Sequence, residues 1–357
     1  MKDPCRLKAA QERHKLDTDY QGRKDITMNK VKLSSLPIAR GSYTEAAFAV
    51  ASYKNAGVAK NGKPYIDITV MDGETQTAGK AFSITAEELE AAGIREGSVI
   101  SAKVEVTDFG GRSYAFSEIK LISNDSSELT QLIPMPPHDP EKMYAEIQKM
   151  IRHAADRTAE ARGSRSGLGE FVCAFLDANR EEYIKSSAAL RMHHNLRSGL
   201  IYHSFRMTMT ALYLTKVYTS LDAELLVSAA AVHDIGKLRS MRTSELGSAE
   251  YTADGVLFEH LLLGIEMLTE FKADYAGEVE EEAFRLLKHL IASHHGKKEF
   301  DAITLPAVSE ALALSMIDDL DAKMYMYEKN ISALEEGALS EKNRLLGVSF
   351  YRALHDR

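Results

Sequence analysis

Pro134, Pro136, Pro137 and Pro140 interrupt the chain at the point where its hydrophobic periodicity changes. Proline lacks a backbone N–H and clashes with the preceding helical turn, so neither a helix nor a central strand runs through this stretch. Before it, apolar residues alternate with polar ones; after it, they recur at helical spacing. Such a chain is expected to fold as a β unit followed by an α unit, and 357 residues suffice for two or three cores. Residues 126–140 are read as the linker.

Over residues 36–125, Ile66, Ile68 and Val70 alternate with Tyr65, Asp67 and Thr69. Ile100, Ala102, Val104 and Val106 do the same against Ser101, Lys103 and Glu105. Period two marks half-buried strands. Asn61 to Pro64, Asp72–Gly73 and Gly110–Gly111 supply turn chemistry. One helix interrupts, opened by the capping-box pattern of Thr85 and Glu88 and closed near Gly93. Three strands, a helix and two strands is the order of an OB-fold barrel; another small barrel is the alternative.

OB-folds hold single strands by stacking bases on aromatic rings over a positive groove. The alternation sets Tyr65 opposite Ile66, and sets Tyr114 and Phe116 on one face with Glu118 and Lys120. These three rings are candidate platforms, with Lys63 and Arg112, beside Lys54 and Lys60, as loop cations. The competing reading makes the rings core and the lysines ordinary surface. Residues 31–125 carry 10 Lys and Arg against 12 Asp and Glu, and the whole chain carries −8. That balance argues against a bulk electrostatic grip on nucleic acid but leaves room for a local basic channel.

From residue 141 to 357 the pattern is helical, first over 141–160 and 168–186, with the Gly163–Gly167 patch between them. No strand pattern follows. Residues 1–35 are polar and aperiodic and are read as a weakly ordered tail, with Met28 as an alternative start. Apolar runs fall short of a membrane span, and no charged-then-apolar leader opens the chain. Cys5 and Cys173 cannot build a disulfide framework, so a cytoplasmic protein is expected.

The helical half carries an ordered series: His203, His233–Asp234, His260, His294–His295 and Asp318. Imidazole and carboxylate are the natural ligands of Zn²⁺, Mn²⁺, Fe²⁺ and Co²⁺. Any one of these residues could cap a helix or fill a core, but the ordered set on helical stretches points to a metal centre. One ion would be held by His203, His233, Asp234 and Asp318, and a second by His260, His294 and His295 with Asp234 bridging. With a single ion, the latter three histidines would contact phosphate instead. Two ions can clamp a phosphodiester, activate a water and stabilise the leaving oxygen. Positive charge for the non-bridging oxygens is expected from Lys237 above all, then Arg197, Lys297, Lys298 and Lys323. Asp234, His233 and Lys237 are therefore the candidate catalytic residues. Asp318, at the end of the apolar run from Ala311, is preferred over Asp319 and Asp321 as the last ligand. Asp321, one helical turn on, is expected to orient a ligand histidine. His193 and His194 are read as structural or substrate-contacting.

The ordered His and Asp set is the signature of the HD phosphohydrolase superfamily. With a barrel ahead of it, the chain resembles the YhaM family of bacterial 3′-5′ exoribonucleases. The likeness rests on Val58 to Tyr65, His193 to His203, His233 to Lys237, Ser293 to Lys297, Ile317 to Met324 and Ser349 to Tyr351. It departs at Tyr202, where the family carries an acid, and at Asp319, where it carries Asn. The resemblance implies a multidomain α+β protein, an N-terminal OB-fold followed by an all-helical HD domain. It implies removal of nucleotides from the 3′ end of single-stranded RNA, with single-stranded DNA as a further substrate. Mn²⁺ or Co²⁺ would support the reaction, with Fe, Mg or Zn as alternatives, in a homo-oligomer. Two other readings compete: a phosphohydrolase of nucleotides or cyclic dinucleotides, and a non-catalytic single-strand or DNA-element binding factor. A strand-binding barrel is superfluous for the first, and a complete ligand set argues against the second.

Overall fold

The computed structural model describes residues 29–108, 112–188, 197–244, 246–247, 249–343 and 346–354. The Gly110–Gly111 turn and the His193–His194 pair lie outside them, as does the segment before Asn29. Contacts divide the chain into one unit of Met1–Asp72 with Gln76–Leu129, and a second of Gly73–Thr75 with Thr130–Arg357.

The first unit is a five-stranded barrel of β1 (Thr44–Val58), β2 (Pro64–Met71), β3 (Gln76–Phe82), β4 (Val99–Asp108) and β5 (Arg112–Ser123). It closes in the order β1-β2-β3-β5-β4, with β3 and β5 parallel and the other neighbours antiparallel, the OB-like arrangement. The period-two runs face inward as the alternation requires: Ile66, Ile68, Val70, Ile100, Ala102 and Val104 are buried around Phe48. Helix α1 (Ala86–Ala91) sits between β3 and β4, and both halves of the Thr85–Glu88 capping box form. α2 (Ser126–Leu129) follows β5.

Phe116 corrects the sequence reading. It is buried in the barrel, edge-on to Phe48 at 5.8 Å, and not on the outer face with Lys120. The cause is a bulge: Ser101 pairs with Lys120 but Lys103 with Ser117, so β5 spends an extra residue there, with Glu118 at φ 49°. An extra residue reverses the side-chain parity beyond it. Leu33, placed in the tail by the sequence, also differs from expectation: it is buried in the barrel core with Leu36, and its N–H donates to Asp72 Oδ2 at 2.8 Å. A 3₁₀ turn over Leu33–Ser35 is too short to show a period.

The second unit is dominated by helices: α3 (Pro140–Arg162), α4 (Leu168–Ala178), α5 (Arg180–Lys185), α6 (Gly199–Val217), α7 (Ala223–Val232), α8 (Lys237–Ser240), α9 (Ala253–Asp274), α10 (Glu281–Ser293) and α11 (Ser309–Ser332). α3 starts where proline permits, at the first helical position, with Asp139 accepting from the Glu141 and Lys142 N–H groups. Gly163, at φ 78°, ends it. The expected helix over 168–186 breaks at Asn179 into α4 and α5. Two short ribbons depart from the helical expectation, β6 (Met241–Thr243) with β7 (Ala249–Tyr251) and β8 (Leu339–Lys342) with β9 (Ser349–Tyr351). Strands of three or four residues carry too few alternations to be read from sequence.

α7 is the centre of this unit. Every residue from Ala223 to Val232 is buried, and α3, α4, α6, α10 and α11 pack around it. A helix apolar nearly all round, Glu224 and Ser228 apart, has nowhere else to go. Ala229, Ala230 and Ala231 keep its last turns thin, so the neighbouring helices approach closely where it ends.

Barrel closure depends on Gly79, where an added Cβ would lie 2.5 Å from the Phe116 ring and 2.7 Å from the Tyr114 carbonyl oxygen. Gly79→Ala should therefore destabilise the barrel by about 1–3 kcal/mol, the usual cost of overpacking, read as a lower urea midpoint by circular dichroism.

Candidate metal centre

Two helices deliver histidines by the same device. α7 ends at His233, whose Nδ1 lies 3.0 Å from the Ala230 carbonyl; α10 ends at His294, whose Nδ1 lies 2.8 Å from the Ile291 carbonyl. The last carbonyls of a helix lack intrahelical partners, and an imidazole N–H three residues on supplies one. A carbonyl can only accept, so Nδ1 carries a proton in both rings, and in the neutral form of each ring Nε2 is left as a lone pair. His295 repeats the arrangement, with Nδ1 2.7 Å from the Phe300 carbonyl.

His203, on α6, has its Nδ1 2.8 Å from Asp321 Oδ2. Its Nε2 lies 3.1 Å from His233 Nε2 and 3.2 Å from Asp318 Oδ1. Asp318 is thus the aspartate of its cluster that reaches the centre, while Asp321 orients a ring from behind and Asp319 pairs outward with Lys323 at 2.6 Å.

Asp234 stands between two donor groups. Its Oδ2 lies 3.4 Å from His233 Nε2, 3.8 Å from His203 Nε2 and 2.6 Å from Lys237 Nζ. Its Oδ1 lies 3.3 Å from His260 Nε2 and 3.8 Å from His294 Nε2. His260 comes from α9, which is interrupted at Glu259 (φ 59°, ψ 162°) just before it. Gly236 allows this approach, since a Cβ there would lie 1.9 Å from the His260 carbonyl oxygen.

The donor set suits divalent metal. Ligand atoms of His203, His233 and Asp234, of His233, His294 and Asp318, and of His260, His294 and His295 each lie within 4.8 Å of one another. His260 Nε2 is buried without a hydrogen bond, although Asp234 is near. A buried nitrogen without a partner is costly unless a cation or proton sits beside it.

The other predicted residues fall less uniformly. Lys237 reaches the centre, held by Asp234. Lys297 is exposed, pairs with Glu299 at 3.2 Å and lies over the Phe300 ring beside His295, while Lys298 donates to the Ile303 carbonyl. Lys323 points to the outer side of α11. Arg197 lines a different cavity, with Leu238, Met241 and Thr252, which contains none of the candidate ligand histidines. Arg206, which donates to Asp321 at 2.5 Å, is not evident from the sequence, since a lone arginine on a helix carries no signal of its own.

On the barrel, Tyr65 packs on Phe82 at 5.6 Å with Lys80 Nζ 4.4 Å above its ring. Lys80, Phe82, Tyr53, Lys54, Arg112 and Tyr114 line a groove of about 840 Å³. Tyr114 and Arg112 also secure the 3₁₀ turn, Arg112 donating to the Leu36 carbonyl at 2.7 Å and Tyr114 to that of Leu33 at 3.4 Å. Lys63 is exposed in the β1–β2 turn. Lys80 and Phe82 were missed because β3 holds too few apolar residues to reveal its alternation.

Electrostatics follow from these contacts. Burial raises the Asp234 pKa, but Lys237 and His233 outweigh it and hold the carboxyl well below the usual range. Asp318 is likewise lowered, its hydrogen bond with His203 overcoming burial. Burial and the neighbouring His233 and His295 keep His294 neutral, the form that binds metal. His203 goes the other way: burial lowers it, but Asp318 and Asp321 push it up to about 9. Below that value a proton competes with metal for His203. Apparent affinity at this end of the centre should rise about tenfold per pH unit from about 7 to 9 and then level off. Calorimetry in buffers of different ionisation enthalpy should count about one proton released on filling this end of the centre near neutral pH.

Residues 200–323 match the HD domain family, so the histidines and aspartates above lie within a recognised domain that implies divalent-metal binding. The chain is 27% identical over 301 residues to the 3′-5′ exoribonuclease YhaM of Oceanobacillus iheyensis, covering 83% of this chain and 89% of that protein. It is 28% identical over 298 residues to the protein of the same name from Shouchella clausii, with the same shares covered. Among the described residues no helix is long and apolar enough to cross a membrane. The chain is thus an OB-like barrel followed by an HD domain, similar to YhaM proteins along most of its length.

Proposed function

We propose that the protein is a metal-dependent exoribonuclease that shortens single-stranded RNA from its 3′ end, with single-stranded DNA as a further substrate. The observation that carries this reading is the convergence of imidazole nitrogens on both oxygens of Asp234 inside an HD domain, in a chain similar to YhaM exoribonucleases. His203, His233, Asp234 and Asp318 would hold one divalent ion, and His260, His294 and His295 a second, with Asp234 shared. Such ions supply charge neutralisation at the scissile phosphodiester and a lowered pKa for a coordinated water. The likeness to YhaM proteins points to Mn²⁺ or Co²⁺; the imidazole-rich donor set itself suits Co²⁺, Fe²⁺ and Zn²⁺ better than Mg²⁺.

The chain's own groups perform the rest. Lys237 neutralises Asp234 and lies close enough to the ligands to meet a non-bridging phosphate oxygen. Lys297, beside His295, offers a second positive charge. On the barrel, Tyr65 and Phe82 present rings to bases and Lys80 a charge to the backbone, which lets an acidic protein hold a strand locally. A homo-oligomer would let several such barrels engage one strand together.

Incubation of 5′-labelled single-stranded RNA with Mn²⁺ should give a shortening ladder, slowed more than about a hundredfold in Asp234→Ala, beyond the usual effect of a supporting residue. Intact RNA that the protein nonetheless retains would overturn the enzymatic reading. Phe82→Ala should weaken RNA retention about tenfold in a filter-binding assay, the loss of one stacking contact.

A further inference from the structure

His203 and Arg206 lie three residues apart on α6, and Asp318 and Asp321 three residues apart on α11, so each helix presents its pair on one face. Across the two helices the groups form a ladder. Asp318 Oδ1 meets His203 Nε2 at 3.2 Å on the side of the metal centre. One turn back, Asp321 Oδ2 lies 2.8 Å from His203 Nδ1, and Asp321 Oδ1 accepts from Arg206 Nε at 2.5 Å. Asp321 is nearly fully buried, so its orientation is set by protein groups, these among them, and not by water. Arg206 is itself held from two more directions, its Nη1 donating to Glu328 Oε2 at 2.9 Å and to the Tyr202 hydroxyl at 3.3 Å.

We propose that Arg206 is a positioning residue for one half of the metal centre: it locks the Asp321 carboxylate, which in turn aims His203 Nε2 at the ion held with His233, Asp234 and Asp318. The inference rests on the metal-centre reading above. A carboxylate fastened on one oxygen by a planar guanidinium keeps its second oxygen in place, and the ring that donates to that oxygen cannot swing. Without Arg206, Asp321 can rotate about its terminal torsion and His203 follows. The effect is local, because His260, His294 and His295 are oriented by other groups, the Ile291 and Phe300 carbonyls among them. Loss of Arg206 should therefore weaken one ion and spare the other, whereas a merely structural role would weaken both or neither.

The test is Co²⁺ binding by the full-length protein, followed by visible absorption and by metal-to-protein ratio at dialysis equilibrium. Wild-type protein should take up two equivalents. Arg206→Met should keep one at wild-type affinity and bind the other 10–100-fold more weakly, the usual range for a group behind a ligand. In a His295→Ala background, where the remaining equivalent is the one at His203, Arg206→Met should weaken that equivalent by the same factor. Arg206→Lys, which restores charge but not the planar fork, should recover the affinity only in part. Should Arg206→Met fail to melt cooperatively, the Lys variant carries the same comparison. Unchanged affinity for both ions, or equal weakening of both, would overturn the inference. A wild-type protein that takes up no Co²⁺ would overturn the metal-centre reading, and this inference with it.

Discussion

A backbone carbonyl accepts hydrogen bonds and never donates them, and the helical unit is built on that asymmetry. His233, His294 and His295 each give Nδ1–H to a carbonyl, two of them at the end of their own helix. The contact satisfies a helix terminus and sets the tautomer at once, so the nitrogen left over is a lone pair with a fixed direction. His203 has its ring direction fixed by a carboxylate, but its Nε2 must first give up a proton. Because the ring orientations are set before any ligand arrives, the centre needs little reorganisation to receive a cation.

The packing of the unit serves the same end. α7 is buried along its length, and its terminus brings His233 and Asp234 to the point where α6, α10 and α11 meet. Gly236 then lets the His260 backbone approach more closely than any side chain would permit. The barrel uses the device for a different purpose, Gly79 leaving room for Phe116 where β3 and β5 close the sheet. In both units a missing Cβ marks the contact on which the geometry turns.

Much of this was legible in the chain. The alternation around Ile66 and Ile100 describes strands buried on one face, and the structure has them so. Thr85 and Glu88 announce a capped helix, and Asp139 followed by Pro140 begins α3. Tyr65 follows its alternation, half-buried on the face opposite Ile66 and beside Phe82, because nothing disturbs parity between neighbouring residues there. Phe116 does not, because a single bulge residue near Glu118 inverts the face on which β5 presents its side chains. Periodicity is local, and a bulge is imposed by the partner strand.

The sequence by itself determined the class of the longer elements and the chemical identity of the candidate donors, since both follow from residue type and near-neighbour spacing. Histidines and aspartates at the ends of apolar helical runs say that a metal centre is available. Only the tertiary structure decided which nitrogen faces inward, that Asp234 offers one oxygen to each donor group, and that Asp318 reaches the centre while Asp319 turns away. Arg206 belongs to the same class of fact. Its partner Asp321 is 115 residues further along the chain, and a contact of that range exists only once α6 and α11 have packed against each other.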